Sequence, residues 1–286
     1  MSYGESLEAL RKSRPMVSRA LIAAQERRTE RLAMLLDGAR LRGLEQLYEY
    51  LHAAERAYRK LPSIADLAFL VARVRADFET ALEATISGYQ DVASDSMGDV
   101  MEIETLLLDF AAHPDNIHEW LQNDPAVRRQ KYQPVKVRIR LQEAGIEPFA
   151  SDDYEPVDYQ AQSEALRVSP ARAVTGRGPE PPDDSAVPFV SALGFIEMFE
   201  HGNRILTAIE LLRVVSMRRD GRTDYAPLTA RDDFDDACGR TREMQVIVMA
   251  LIEGPGILAA ELGRQPTDDE LLRYLARELE TKSPRA

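Results

Sequence analysis

Apolar residues recur at helical spacing over most of the chain. From Leu44 they run Leu44, Leu47, Leu51, Ala54, Tyr58 and Leu61, a three-four alternation that draws a narrow stripe suited to helix pairing. The stretch from Val17 to Leu61 holds no proline and is rich in Ala, Leu, Glu, Arg and Gln, which predicts one long helix or two in series. Pro62 stops it. Ser63 and Asp66 have capping-box spacing, and a second stripe follows as Leu67, Leu70 or Val71, Val74, Phe78, Leu82, Ile86 and Tyr89. The short connection predicts a long helical hairpin over residues 1–90.

The remainder, 91–286, reads as a helical bundle. Residues 91–99 suit a turn or the frayed start of a helix that carries Val100 to Phe110 and ends at Pro114. Asp115 is placed to cap a short turn, and Asp124 with Pro125 to open a basic helix. Pro134 should kink or split that helix, and the alternation Val135, Val137, Ile139, Leu141 suits strand as well as helix. Residues 145–188 are proline-rich and weakly periodic, an irregular excursion with at most one short helix near 159–166. Helical period returns from Val190 to Val215, with a break expected near His201 and Gly202, and an apolar block from Met244 to Ile252 meets Gly254, Pro255 and Gly256. Gly263, Pro266, Thr267 and Glu270 predict a stop and a capping box before a last amphipathic helix. The expected class is all-α.

Charge is distributed unevenly. The 286 residues carry a formal net charge of -12, yet 61–124 is strongly acidic while 125–146 holds six basic side chains against one acid. The overall sign repels phosphate backbones, so DNA is disfavoured as a partner, and RNA would need a local basic face such as the arginines of residues 1–60 or Arg128 to Arg140. The plainer expectation is that basic helices lie against acidic ones. No run of about 18 apolar residues offers a membrane span, and the first residues lack a secretory h-region. One cysteine, Cys238, and four histidines exclude a thiolate zinc site. These features lead to an expected cytoplasmic location, with no membrane partner, metal or cofactor called for.

The constellation most like a site is Asp109, His113, His118 and Glu119 in DFAAHPDNIHEW. Asp109 and His113 are four apart, so a carboxylate can orient an imidazole or both can face a divalent cation. A histidine before Pro114 is equally favoured by the helix dipole alone. The acidic groups at 152–153, 183–184 and 232–236 lack calcium-loop spacing and read as solvated turns. No GxxxxGK[ST], GxGxxG, GxSxG or HExxH phrase occurs.

Two resemblances add to this reading. AELGRQPTDDEL at 260–271 looks like a phrase from region 3 of bacterial primary-type sigma factors, which implies a DNA-binding transcription protein. The order VMEIETLLLDFAAHPDNIHEWL at 100–121, YQAQSEALRVSP at 159–170 and FIEMFEHGNRILTAIELL at 195–212 is similar to HEPN-like and abortive-infection-type helical proteins. That likeness implies a compact helical bundle, and many such proteins are metal-independent ribonucleases or belong to toxin and antitoxin pairs. Nuclease members use an arginine followed four to six residues later by histidine, and no such pair occurs here. The resemblance then implies that catalysis is lost, with His113, Arg167 and Ser169 as the residual polar groups. The expected function is a non-catalytic interaction or oligomerisation protein in bacterial stress or phage defence, with a protein partner or self-association. A divergent ribonuclease is the enzymatic alternative.

Overall fold

The computed structural model describes residues 3–35, 38–146, 149 and 187–282, and among them helix is the only regular structure. In chain order the elements are α1 (Tyr3–Ser13), α2 (Pro15–Leu35), α3 (Gly38–Tyr58), a 3-10 turn (Ala65–Leu67), α4 (Ala68–Ser87), α5 (Gln90–Ala112), α6 (Asp115–Gln122), α7 (Pro125–Lys131), α8 (Pro134–Glu143), α9 (Val187–Arg219), α10 (Asp232–Leu262) and α11 (Asp268–Lys282). No helix among these residues is long and apolar enough to cross a membrane. The protein is an all-α helical bundle.

The centre of the bundle is α5, which packs most extensively on α9 and on α4. Its buried positions Ala93, Met97, Val100, Glu104, Leu107 and Ala111 repeat every three to four residues, so one face meets both neighbours. The stripe on α3 is buried along its whole length from Leu44 to Leu61, and α3 packs on α4, α9 and α10. The partner for that stripe is therefore the same chain. One contiguous core runs from Leu44 through Phe78, Phe110 and Phe199 to Phe234, so segments 1–90 and 91–286 share it. Two buried tyrosines within it are bonded: Tyr58 donates to the Ile209 carbonyl at 2.8 Å, and Tyr50 donates to Glu210, which Arg213 also grips at 2.8 and 2.5 Å. A smaller cluster, Leu258, Tyr274 and Leu271, joins α10 to α11.

Two glycines fix close approaches. A Cβ at Gly43 would lie 2.5 Å from the Ala237 Cβ and 3.3 Å from the Asp233 carbonyl, so α3 and α10 cross with backbones nearly touching. Gly88 ends α4 with φ of 82°, and the Arg31 side chain fills the space where a Cβ would stand.

Several local expectations need correction. Ser63 does not cap α4: its hydroxyl donates to Asp220 at 3.1 Å, and the helix begins beyond a 3-10 turn with no side-chain cap. Asp115 is the first residue of α6 rather than its cap, and its carboxylate pairs with Arg219. The break expected near His201 and Gly202 is absent, because Gly202 presents its bare face to the Phe234 ring and α9 continues through. The glycines and Pro255 do not interrupt α10 either. The acids of 232–236 are largely exposed, as expected, but they lie on helix rather than in a turn, with Asp232, Asp233 and Asp235 in the first turn of α10, where the helix dipole favours acids. Segment 135–141 is helix, with Val137 and Leu141 inward and Val135 and Ile139 exposed. The acidic groups at 152–153 and 183–184, and the short helix expected near 159–166, lie outside the described residues.

Candidate functional site

Three short helices, α6 to α8, fold back over the C-terminal end of α5. Asp124 starts α7 by accepting from the Ala126 and Val127 amides at 2.8 and 3.0 Å, with Pro125 at the first helical position. Pro134 then opens α8 and ends α7 at Lys131. What holds this group in place is Asp109, fully buried on α5. Arg140 of α8 donates to both its oxygens, from Nε at 2.8 Å and Nη2 at 2.9 Å, and Asn116 of α6 donates to it at 3.1 Å. The same guanidinium lies 5.2 Å above the Tyr132 ring, whose hydroxyl donates to the Asn116 carbonyl. Burial, followed by the charges of Glu119 and Asp109, pushes the Tyr132 phenol up to about 12.

That geometry decides the sequence candidates. His113 does approach Asp109, with Nδ1 3.5 Å from Oδ1, but the nitrogen makes no hydrogen bond. Arg140 and Asn116 occupy the carboxylate, so Asp109 is an anchor and is not free to act as a base for an imidazole. His118 points elsewhere, into an open depression of about 490 Å³ beside Asp66, Asp115 and Arg219. Glu119 pairs with Lys131, whose hydrogen bond is the main cause of its lowered carboxyl pKa. The four-residue constellation is thus split among three environments. Arg167 and Ser169 lie outside the described residues. Among the described residues no group of three or more His, Cys, Asp or Glu side chains is arranged to hold a metal ion. Cys238 is buried with its thiol pushed up to about 12 by desolvation, which makes it a packed side chain.

The concave surface that the anchored helices create is a different place. A cleft of about 540 Å³ opens between α4 and α5 on one side and α6 to α8 on the other. Its aromatic wall is Phe69, about half exposed, stacked nearly parallel on Trp120 at 6.1 Å between ring centres. Trp120 is braced from beneath by the edge of Phe110 at 5.8 Å and carries the Arg128 guanidinium 5.4 Å from its ring. Leu70, Ile103, Leu106 and Val137 complete the apolar lining. Arg73 closes one end, bonded to Asp77 at 3.1 Å and to Asp99. Glu102 lies beside Asp99, and burial together with that neighbouring charge raises its carboxyl pKa.

Sequence spacing does not bring these residues together as one site. Phe69 is the detectable signal, a large aromatic that falls off the stripe of α4 and away from the core face. Trp120 is the chain's single tryptophan, and Arg128 and Arg129 belong to the basic segment already noted. No family model matches this chain, and no curated protein or solved structure matches it.

Proposed function

We propose that this chain is an interaction protein whose docking site is the aromatic and arginine cleft between α4, α5 and α6 to α8. The observation that carries the reading is the stack of half-exposed Phe69 on partly buried Trp120, flanked by Arg128. Tryptophan, tyrosine and arginine dominate the energetics of protein interfaces because they present large rigid area with a polar edge. A cleft of this size takes one or two side chains of a partner segment, the usual depth of an interface anchor. Among the described residues of its lining only Arg128 and Arg129 carry unpaired positive charge, too narrow a basic face for a phosphate backbone, which favours a protein over a nucleic acid. A setting in stress response or phage defence follows only from the HEPN-like resemblance.

Trp120 makes the test direct, since its emission reports on this cleft alone. Titration with synthetic peptides that carry one aromatic anchor in acidic, neutral or basic flanks should shift the emission for at least one class. Phe69→Ala should abolish that shift. Saturable binding that survives Phe69→Ala, or no shift with any class, overturns the reading.

A further inference from the structure

The charges around the cleft are not equivalent, and their difference selects a partner. Arg73 is held by Asp77 and Asp99, Arg140 by Asp109, and Lys131 by Glu119. Arg128 and Arg129 line the cleft from α7 and carry no ion pair among the described residues. Arg128 lies over the indole, so a carboxylate that reaches it stands beside an apolar surface, where an ion pair is screened less than in open water. On the opposite wall Asp99 is already neutralised by Arg73, and the Glu102 carboxylate beside it repels further negative charge.

We infer that the occupant of the cleft is an acidic segment of a partner protein, which seats an aromatic side chain against Phe69 and Trp120 and directs its carboxylates to Arg128 and Arg129. This rests on the cleft being a docking site. The aromatic anchor supplies buried area and the guanidiniums supply orientation, because arginine binds carboxylates through a rigid fork with paired donors. The free arginines lie along one wall only, so the carboxylates must fall on one flank of the anchor. An evenly basic segment would meet Arg128 and Arg129 as like charges.

Two peptides of about a dozen residues test this, alike in a central tyrosine and differing in flanks of Glu and Asp or of Lys. Isothermal titration and Trp120 emission should show binding of the acidic peptide, weakening as salt rises, and at least tenfold weaker binding of the basic one. Arg129→Glu, at an exposed position, should weaken the acidic peptide at least about tenfold while the circular dichroism spectrum is unchanged. Equal binding of both peptides, lost in Phe69→Ala, overturns the charge inference and leaves the docking site standing. No binding of either peptide, with a neutral peptide also silent, overturns both. N-acetyltyrosine binding as tightly as the acidic peptide would mean a small aromatic acid is the ligand and would equally defeat the inference.

Discussion

Arg140 holds both oxygens of Asp109 with two donors on one edge of its guanidinium, across the boundary between α8 and the central helix α5. The carboxylate has no exposure to solvent, so this pair is the covered joint by which the outer helices attach to the core.

Breaking the joint from one side leaves a charge stranded. Arg140→Met should destabilise the fold by about 3 kcal/mol, because Asp109 keeps only Asn116 as a donor. Urea denaturation followed by circular dichroism measures it. Replacing both partners, Asp109→Leu with Arg140→Met, should recover much of the loss, and a double variant no more stable than the single one would show that the pair itself, rather than a stranded charge, supplies the stability.

The crossing of α3 and α10 should tolerate no side chain at Gly43. Alanine raises helix propensity by about 1 kcal/mol, yet its methyl overlaps Ala237, and the separation of the two helices should leave a net loss of about 1–2 kcal/mol. Gly239, on α10 with open space where a Cβ would stand, is the matched control: Gly239→Ala should stabilise by about 0.5–1 kcal/mol. Thermal denaturation of the two variants should therefore move in opposite directions.

Alkali should unfold the protein by way of its buried tyrosines. Tyr58 is raised well above the ordinary phenol value, by burial first and then by Tyr50 and Glu210. Tyr50 is raised by burial and then by Glu210. The folded state therefore retains protons that the unfolded chain releases near pH 10, and stability is intact below that value and falls as pH rises beyond it. Melting temperatures between about pH 9 and pH 11 should show the decline, and Tyr58→Phe should make it shallower. Cys238, pushed up to about 12, should resist thiol reagents at pH 8 until the chain is unfolded.

Phe69 should separate stability from binding. About half of it faces solvent, so Phe69→Ala should change stability by less than about 1 kcal/mol in urea denaturation while removing one face of the Trp120 stack. A large loss of stability would place Phe69 in the core and count against the cleft.

Much of the fold could be read along the chain because its signals are local. The stripe from Leu44 to Leu61 and the Asp124–Pro125 start are matters of spacing and capping within a few residues. So is the Thr267–Glu270 box, in which Glu270 accepts from the Thr267 amide at 2.8 Å. The failures share a cause. Ser63 turns to Asp220 and Gly202 is accommodated by Phe234, in each case through a residue distant in sequence. The same holds at the candidate site. The spacing of Asp109 and His113 is legible, but Arg140, which claims the carboxylate, lies 31 residues further along on another element, and the cleft draws its lining from five helices.

Helices of eight, seven and ten residues carry one side of the cleft. Segments so short do not persist alone in water, so their order is lent by the packing beneath them. Local opening of this flap can proceed while the rest of the bundle stays intact, and amide exchange there should outpace exchange in α5. Any guest would then meet a receptor that is assembled for only a fraction of the time, and its apparent affinity would scale with that fraction. Asp109, which never touches the guest, would thereby govern how tightly it is held.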